Sequence, residues 1–594
     1  MSTADDSLPT EFDLIVIGTG LTESILSAAA SRIGKTVLHL DSNDYYGGLW
    51  ASFNLESIET LAKNNKCVHC NPNVNVNNGI ITLDPNVNFI IENAELEWRI
   101  PSNILEIGNK TDDEKIDEQT EEHNDELENT WTRDRVMHDF RKFNIDLTPK
   151  LLFARGDLVE LLISSNISRY AEFRAIDRII TCVNNEMKVV PCSRADVFTN
   201  KDVTVLEKRL LMKVLSSCVS VENEEEFKDF EDKTFRSYLE HKRLTQNLIH
   251  YILYSIGMCD DQTLCPDGVK RVKKFLQSLG RYGNSPFLFP MYGCGEIPQC
   301  FCRLSAVFGG IYCLKRPITE IQLNESLDEF NAIKCNEQTI KAKSIVISGT
   351  EINHFAHILP KTMETSTTNP HQCGKLSRAI FIVTRPLCEQ PGSTGGGVEF
   401  LKLPPIGDEF PVNAVNGNES TGAFVIQLTH WSGTVPKDLY LVHVVCRARS
   451  DSPKSDIEPY ERLLFNEDEA HEVLWSMYFN IPSCVQCVDT VKMPSNCYVA
   501  CGPFFELDYD ESIRQAKKLF TQIYENEEFL PRAPDPEEIV IEGDNPTDPL
   551  PSMVAELNLE LPNTQLNQSN QHQFEEELNT TVSNVQNQPE PSTQ

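Results

Sequence analysis

The order of apolar and polar positions at the start of the chain predicts a strand, a tight turn and a helix. Residues 12–17 form a short apolar run rich in β-branched side chains, and this run stops at Gly18. Residues 21–31 then carry apolar side chains at helical spacing, and a second apolar run, residues 36–40, ends at Asp41. The pattern therefore predicts a βαβ unit.

Farther along, the apolar spacing separates a group of helices from regions of strands. Helical spacing recurs four times in succession, at residues 206–218, 235–242, 247–258 and 269–279. Strand-like runs follow at residues 318–348, 379–384, 422–430 and 439–447, with a last helix at residues 512–524. Because the four helices have no strand between them, we predict an α/β (α+β) fold with an inserted α-helical domain.

Changes in composition set the predicted domain boundaries. Two acidic stretches, residues 92–134 and 533–594, have few large apolar side chains and are predicted to be disordered, because they cannot bury enough apolar surface to offset chain entropy. An acidic docking arm is the alternative for residues 92–134. The predicted divisions are a sheet domain in two parts, residues 1–195 and 281–532, a helical domain at residues 196–280, and an acidic tail at residues 533–594.

Residues 296–310 form a further predicted helix. It begins near Pro298, and proline is favoured in the first turn of a helix. We expect Arg303 to project from this helix, and Leu304 and Val307 to face the core.

The turn between the first strand and the first helix carries an incomplete dinucleotide fingerprint. A working fingerprint is Gly-x-Gly-x-x-Gly/Ala, followed about 20 residues later by an acid that binds ribose. Gly18 and Gly20 fill the first two positions and Asp41 is suitably spaced, but Glu23 occupies the third position.

Glu23 changes the prediction about a cofactor. Its carboxylate supplies the negative charge that the helix N-terminus favours, so a diphosphate would meet a like charge. Two like charges about 4 Å apart repel by roughly 4 kcal/mol at an effective dielectric constant near 20. We therefore predict no cofactor and interpret Gly18, Gly20, Glu23 and Asp41 as vestiges of a dinucleotide site. The alternative of a bound dinucleotide stays open.

The chain is strongly acidic. Its 594 residues include 88 Asp and Glu against 53 Lys and Arg, which gives a formal net charge of −35. This charge argues against a nucleic-acid partner, because few basic groups are left to displace counterions from phosphates. No apolar run reaches membrane-spanning length and the polar first residues do not resemble a signal peptide, so we expect a cytosolic protein.

Neither a metal site nor a catalytic site is predicted. The 19 cysteines are interpreted as reduced thiols, since no secretory signal accompanies them. Two Cys-x-x-Cys pairs, Cys67/Cys70 and Cys484/Cys487, lie far apart without a suitably spaced pair of histidines, which favours ordinary cysteines over a zinc site. No Ser/His/Asp or Cys/His arrangement suggests a nucleophile.

Three long motifs carry a resemblance to a known family. They are IGTGLTESILSAAASRIGKTVLHLDSNDYYGG, FNIDLTPKLLFARGDLV and RYGNSPFLFPMYGCGEIPQCFCRLSAVFGGIYCL. In these motifs the chain resembles the superfamily of Rab escort proteins and Rab GDP-dissociation inhibitors. The resemblance implies a flavoprotein-like, Rossmann-type sheet domain that holds no flavin.

Within this superfamily the chain is similar to the escort branch. The acidic insertion and the segments NISRYAEFRAIDRI, VPCSRADVF and GGLWASF carry the similarity. It implies that the protein binds newly made, GDP-bound Rab GTPases and presents their C-terminal cysteines to the Rab geranylgeranyltransferase α/β heterodimer. It also implies that the protein holds the prenyl lipid of the bound Rab and delivers the product by transient membrane association, without catalysis of its own.

The resemblance further implies roles for individual residues. The transferase contact falls on Phe198 and Arg209, although the residues alone would make Phe198 a core residue. The Rab contact falls on six positions, of which Phe287 and Cys313 stand where the inhibitors of the family have Tyr and Met. The six are Tyr46, Arg281, Phe287, Glu296, Arg303 and Cys313.

Two other functions stay open at this point. One is a Rab GDP-dissociation inhibitor, which would recycle prenylated Rab without supporting its modification. The other, from a different class, is an FAD-dependent oxidoreductase, which the βαβ opening alone would permit.

Overall fold

A computed structural model shows the fold of the chain in the ranges that it describes. These are residues 7–64, 76–77, 80–82, 91–102, 130–191, 204–219, 224–326, 328–349, 375–389, 397–406, 422–465, 473–483 and 493–532. By its internal contacts the chain divides into residues 1–533 and residues 534–594, and every described residue belongs to the first unit.

The described helices are numbered in chain order. They are α1 (Leu21–Arg32), α2 (Leu55–Asn64), α3 (Arg133–His138), α4 (Asp157–Ser164), α5 (Val205–Val219), α6 (Glu224–Phe227), α7 (Phe235–His241), α8 (Gln246–His250), α9 (Cys265–Ser278), α10 (Glu296–Val307), α11 (Pro453–Leu464) and α12 (Asp510–Ile523). None of the helices in the described ranges is both long enough and apolar enough to cross a lipid bilayer.

The described strands are numbered in the same way. They are β1 (Glu11–Ile17), β2 (Val37–Leu40), β3 (Ser52–Phe53), β4 (Val76–Asn77), β5 (Ile80–Thr82), β6 (Glu92–Trp98), β7 (Ile145–Asp146), β8 (Leu152–Phe153), β9 (Phe173–Ala175), β10 (Arg178–Val183), β11 (Glu186–Val189), β12 (Phe287–Pro290), β13 (Ile311–Cys313), β14 (Ile318–Leu323), β15 (Phe330–Cys335), β16 (Gln338–Ser348), β17 (Lys375–Val383), β18 (Glu399–Leu403), β19 (Ala423–Leu428), β20 (Tyr440–Arg447), β21 (Val473–Pro482) and β22 (Cys497–Ala500).

A nine-stranded sheet contains the βαβ unit that the sequence predicts. Its order is β13-β2-β1-β16-β15-β14-β5-β4, and β22 pairs with β16 beside this path. β1 is parallel to both of its neighbours, so that Ile15 lies opposite Leu38 on β2 and Ile345 on β16. The predicted strand, turn and helix at the start of the chain are confirmed.

One face of an eight-stranded sheet packs its apolar side chains into the core that contains α1, and its other face forms a separate apolar cluster with α11. Its order is β11-β10-β18-β19-β20-β17-β21-β6, with antiparallel pairs except for the parallel pair β10 and β18. Two small sheets, β8-β12-β9 and β3-β7, are separate from the two large sheets. Together with the nine-stranded sheet, this architecture confirms the predicted mixed α/β class.

The edge strand β6 corrects one prediction. The acidic segment 92–134 was expected to be disordered throughout, but residues 92–98 form β6, which pairs with β21. Leu96 and Trp98 pack against the core while Glu95 and Glu97 point to solvent, so the strand has one apolar and one acidic face. Of the remainder, residues 103–129 lie outside the described residues.

The helices between the two parts of the sheet region agree with the predicted ones. Between Val205 and Ser278 the described residues contain helices and no strand, and α8 continues into a π-helical turn, Tyr251–Ile256. Phe235 and Tyr238 of α7 and Phe275 of α9 are fully buried and form the centre of this region. α9 begins four residues earlier than predicted, with a proline in its first turn. The domain boundaries themselves stay predictions.

Helix α1 is buried along almost its whole length. Every residue from Leu21 to Ser31 is buried, and the small side chains on one side allow α10 to approach closely. The hydroxyl oxygens of Ser27 and Ser31 lie 3.1 and 2.8 Å from that of Ser305 on α10. Because the two helices are joined in this way, the position of α10 follows from that of the βαβ unit.

The turn after β1 gives the first testable prediction. Gly18→Ala should destabilise the fold more than Gly34→Ala, although both glycines have a left-handed φ, +90° and +77°. A Cβ at Gly18 would lie 2.7 Å from the Cβ of Ser348, whereas nothing lies within 4 Å of one at Gly34. We expect a loss of about 1 kcal/mol in Gly34→Ala and a further 1–3 kcal/mol, roughly, in Gly18→Ala.

Chemical unfolding of both variants measures this difference, and Gly34→Ala is the matched control for backbone strain alone. Equal losses in the two variants would contradict the close packing of β1 against β16.

Candidate functional site

The turn between β1 and α1 is the first candidate site. The carbonyl oxygen of Gly18 accepts a hydrogen bond of 2.5 Å from His39 Nε2. A Cβ at Gly20 would lie 2.5 Å from Glu23 Oε2, so the Glu23 carboxyl group rests against the turn. The third position of the fingerprint therefore folds back onto the two glycines before it.

Glu23 is buried beneath this turn. It is 5% exposed, and its carboxyl group hydrogen-bonds with Ser348 and with its own backbone N–H. Burial raises the pKa of the Glu23 carboxyl group to about 7, because the hydrogen bonds only partly offset the loss of hydration. The side chain takes the space and the donor that a pyrophosphate would need at the helix N-terminus. The residues at this turn therefore do not fit a dinucleotide.

Asp41, at the end of β2, is also engaged within the protein. Its Oδ2 accepts hydrogen bonds from the Thr19 backbone N–H at 2.9 Å and from the Thr19 hydroxyl at 2.6 Å. Its Oδ1 accepts two more from Asn43, at 2.8 and 2.9 Å. Burial raises the pKa of Asp41 despite these four bonds. An acid that is satisfied in this way has no free oxygen facing a ribose.

The same network reaches the segment that carries Tyr46. The Thr19 hydroxyl accepts a hydrogen bond of 2.9 Å from the backbone N–H of Gly47, which has a φ of +101°. Tyr46 is half-buried, and its ring centroid lies 6.2 Å from that of Tyr312. Burial raises the pKa of Tyr46, as do the neighbouring thiols of Cys302 and Cys313. The structure thus brings Tyr46 and Cys313 together beside α10.

A second buried acid fixes the loop before α10. Asp146 Oδ1 accepts a hydrogen bond of 2.5 Å from the Ser52 hydroxyl and one of 2.8 Å from the Cys294 backbone N–H. The Ser52 hydroxyl in turn accepts one of 3.0 Å from Gly295. Because a Cβ at Gly293 would lie 2.5 Å from Ser52 Oγ, this loop requires glycine there. The first turn of α10 is therefore held against β3 and β7.

The outer side of α10 presents what we call the α10 face, formed by Glu296, Gln299, Arg303 and Val307. Glu296 is half-buried, which raises the pKa of its carboxyl group, and the other three are exposed. The Arg303 guanidinium lies 4.4 Å from the ring centroid of Tyr170, at cation–π distance. The predicted projection of Arg303 from the helix is confirmed.

Val307 corrects a prediction made for the same helix. Leu304 is buried as expected, but Val307 is 65% exposed rather than directed to the core. Its position four residues after Arg303 puts it on the same side of the helix as the arginine. The α10 face therefore combines two charged groups with an apolar end.

Phe287 is a second correction. The resemblance implies a partner contact for this residue, but its side chain is fully buried. Its ring packs against Phe153, Phe275 and Phe400, with centroid distances of 4.7, 5.9 and 5.5 Å. The Phe287 ring therefore packs between β8 of a small sheet, α9 of the helical region and β18 of the eight-stranded sheet. It is not available to a partner.

Arg281 lies apart from the α10 face. It forms an ion pair with Glu160 on α4 and donates a hydrogen bond of 2.9 Å to the carbonyl oxygen of Ala154. The hydrogen-bonded ion pair with Glu160, with a smaller contribution from Tyr282, raises the pKa of Arg281. In the described ranges, no hydrogen bond, ion pair or ring contact joins it to Tyr46 or to the α10 face.

Of the two residues implied for the transferase contact, the structure describes Arg209. Arg209 is exposed on α5, where Val205 and Leu206 are 67% and 68% exposed. Phe198 lies outside the described residues. The exposed first turns of α5 therefore offer an apolar and basic surface.

Tyr170 and Thr19 contact the candidate site residues, and the sequence did not predict these contacts. Tyr170 supports Arg303 from a segment 133 residues away in the chain, and no local pattern links the two. Thr19 is the variable position of the glycine fingerprint, and its two hydrogen bonds with Asp41 arise only from the folded turn.

No metal site emerges from the described residues. No group of three or more His, Cys, Asp or Glu side chains is arranged there to hold a metal ion. Both Cys-x-x-Cys pairs, Cys67/Cys70 and Cys484/Cys487, lie outside the described ranges.

Comparison with known proteins identifies the type of fold. A family model described as GDP dissociation inhibitor matches residues 8–98 and 120–527. The solved structure of the Rab GDI from Plasmodium falciparum has the same fold, with a TM-score of 0.58 and 17% identity over 87% of this chain and 99% of that chain. The fold is therefore of the GDP dissociation inhibitor type.

Curated relatives define the branch within that type. The Rab proteins geranylgeranyltransferase component A of Drosophila melanogaster is 40% identical over 548 residues, 91% of this chain and 94% of the relative. Component A 1 of Rattus norvegicus is 35% identical over 661 residues, 94% of this chain and 98% of the relative. The chain belongs to the GDP dissociation inhibitor family and, within it, is similar to these component A proteins over nearly its whole length.

Glu23 gives a prediction about pH. The folded state raises the pKa of this carboxyl group from 4.5 to about 7, so it binds a proton that the unfolded chain releases between these values. Stability should therefore fall as the pH rises from 5 to 8, and Glu23→Gln should abolish this part of the fall. The difference should reach up to about 3 kcal/mol in the free energy of unfolding.

Urea unfolding of the wild type and Glu23→Gln at a series of pH values measures the effect. The exposed Glu56, replaced by Gln, is the control for a surface carboxylate. Parallel pH profiles for the wild type and Glu23→Gln would contradict the buried position of Glu23.

Proposed function

We propose that this protein is a Rab escort protein that binds newly made, GDP-bound Rab GTPases and presents their C-terminal cysteines to Rab geranylgeranyltransferase. It then holds the lipidated product and delivers it to a membrane by transient association. The observation that carries the proposal is the similarity to component A proteins over more than nine tenths of the chain, at 40% and 35% identity. The partners follow from the names of those relatives.

The α10 face supports the GTPase contact. Arg303 offers a planar donor group whose position is restrained by Tyr170, and Glu296 offers a carboxylate two turns away. Tyr46 adds an amphipathic ring near Cys302 of α10 and near Cys313. Such a mixture of arginine, tyrosine and a carboxylate orients a protein partner and requires no bond chemistry.

Buried cysteines support a non-catalytic, accessory role. Burial raises the pKa of Cys300 to about 11 and that of Cys302 to about 12, so both remain protonated thiols at neutral pH. Both cysteines belong to α10, the helix that carries the proposed GTPase contact. The cysteines that receive the lipid belong in this proposal to the GTPase, and the transferase supplies the catalysis.

A surface on α5 supports the transferase contact. Val205, Leu206 and Arg209 are exposed at the start of this helix, which begins seven residues after Phe198 in the sequence. Aromatic and arginine side chains dominate the binding energy of protein interfaces. The prenyl lipid is assigned to the helical region in general, without individual residues.

The two alternative functions have weaker support. A GDP dissociation inhibitor of Arabidopsis thaliana is 24% identical over 86% of this chain, well below the component A relatives. An FAD-dependent oxidoreductase would need the space that Glu23 takes and the oxygen atoms that Asp41 uses for Thr19 and Asn43. We predict that the purified protein is colourless; stoichiometric absorbance at the flavin bands would contradict this.

Substitutions on the α10 face test the GTPase contact. Arg303→Ala and Glu296→Ala should each weaken the binding of a GDP-bound Rab at least about fivefold, which corresponds to about 1 kcal/mol. Both side chains reach solvent and neither is central to the core, so the melting temperature should change little. Titration of a fluorescently labelled Rab·GDP complex measures the affinities.

Arg462→Ala is the matched control, because this arginine is 70% exposed and forms a local ion pair with Glu458, four residues before it on α11. It should bind Rab as the wild type does. Wild-type affinity in both Arg303→Ala and Glu296→Ala would contradict the assignment of the α10 face.

Phe198 tests the transferase contact. If it is an interface anchor, Phe198→Ala should weaken transferase binding at least about fivefold and leave Rab affinity and the melting temperature near their wild-type values. Arg209→Ala should change transferase binding in the same direction. If Phe198 is instead a core residue, the variant loses a few kcal/mol of stability, roughly, and fails with both partners.

Three measurements on one variant, namely melting temperature, Rab affinity and transferase affinity, separate the two possibilities. Arg462→Ala again serves as the control for a surface substitution. Joint loss of stability and of both partners would overturn the interface role of Phe198.

A further inference from the structure

A narrow internal cavity lies between the eight-stranded sheet and the chain segments around Pro149 and Leu507. Its polar lining consists of Arg378 from β17, His443 from β20 and Glu506, and the other lining side chains are apolar. The space is about the size of one water molecule or one monatomic ion. The proposed partner contacts do not use this cavity.

Two buried side chains bring unpaired polar atoms to the cavity. Arg378 is 2% exposed, and neither its Nε nor its Nη2 has a hydrogen-bond partner among the described residues. His443 is 1% exposed, and both of its ring nitrogens are likewise unpaired within the described ranges. Leaving buried donors unpaired costs about 1–3 kcal/mol each, and more for a charged group, so a species in the cavity that accepts hydrogen bonds would be stabilising.

The charges around the cavity favour an anion. Burial lowers the pKa of Lys150, Glu506 and Asp508 attract its ammonium group, and Arg378 repels it. Lys150 Nζ also donates a hydrogen bond of 2.9 Å to the carbonyl oxygen of Phe504. Asp146 attracts Arg378, but no direct hydrogen bond or ion pair joins them in the part of the chain that the structure describes. Arg378 is therefore the cation at the cavity, and the carboxylate that attracts it lies beyond hydrogen-bond reach.

Glu506 does not supply a counterion for Arg378 at neutral pH. Burial, together with the charge of Asp508, raises the pKa of its carboxyl group to about 8, so this group is largely protonated at pH 7. Burial lowers the pKa of Arg378 only to about 9, which leaves the guanidinium charged. A buried positive charge without a neighbouring counterion is strongly disfavoured.

We propose that this cavity binds one small inorganic anion of the size of chloride, through the Nε–H and Nη2–H groups of Arg378 and a ring N–H of His443. Guanidinium nitrogens can only donate, and the neutral imidazole carries one N–H, so all three groups suit an anion. The apolar walls strengthen this attraction because they exclude water. The anion would join β17 and β20 through these side chains, beside the segment that leads into α12.

The alternative occupant is a water molecule. It could accept hydrogen bonds from Arg378 and His443, but it would leave the charge of Arg378 without a counterion. Glu506 would then have to be ionised. The two occupants are distinguished by halide-specific measurements, which do not depend on Rab or transferase binding.

Crystals of the full-length protein grown in sodium bromide provide the direct test. We expect an anomalous bromide peak within hydrogen-bond reach of Arg378 and His443, at roughly 3.2–3.5 Å from the donor nitrogens. Density without an anomalous signal at this point would show water and would overturn the proposal.

Thermal unfolding provides the test in solution. At constant ionic strength, chloride and bromide should raise the wild-type melting temperature in a saturable way when they replace gluconate. Arg378→Leu and His443→Phe should lose the saturable rise, while the surface control Arg462→Leu should retain it. Absence of a halide-specific rise in the wild type, or its persistence in both cavity variants, would overturn the proposal; should Arg378→Leu fail to fold, His443→Phe and the bromide crystals decide.

Discussion

The hydrogen bonds between Asp41 and Thr19 are the interaction on which the proposed binding surface depends. A buried carboxylate is tolerated only when donors surround it, and Thr19 and Asn43 supply four. This requirement fixes the glycine turn against the end of β2, and the Thr19 hydroxyl then holds Gly47 and the neighbouring Tyr46. Since α10 packs on α1 through Ser27, Ser31 and Ser305, the same unit also fixes the helix that carries Arg303.

The dinucleotide-type fold thus serves as a scaffold in which the polar side chains at the nucleotide position bind other groups of the protein. Glu23 closes the turn where a pyrophosphate would lie, and Asp41 binds Thr19 in place of a ribose. Because this turn is held by the protein's own hydrogen bonds, it presents Tyr46 and α10 in a fixed geometry without a ligand. Preorganisation of this kind lowers the entropy that a partner must lose on binding.

The regular spacing of apolar residues allowed many helices and strands to be predicted from the sequence. The burial and the contacts of individual side chains did not follow from that spacing. The β1–α1–β2 unit and the helices from α5 to α9 were predictable because their apolar spacing is regular. Strand β6 was missed because its glutamates suggested a solvated segment, although Leu96 and Trp98 alternate with them. The burial of Phe287 and the exposure of Val307 depend on which elements pack around them, and the Arg303–Tyr170 contact joins distant segments.

The central claim is that the protein makes a Rab GTPase a substrate for geranylgeranyltransferase rather than only binding it. The most direct measurement is the transfer of a labelled geranylgeranyl group to a GDP-bound Rab by purified transferase, with and without this protein and with a Rab GDP-dissociation inhibitor as the control. We expect lipid incorporation only when this protein is present. Equal incorporation without it, or none in its presence although Rab still binds, would contradict the account.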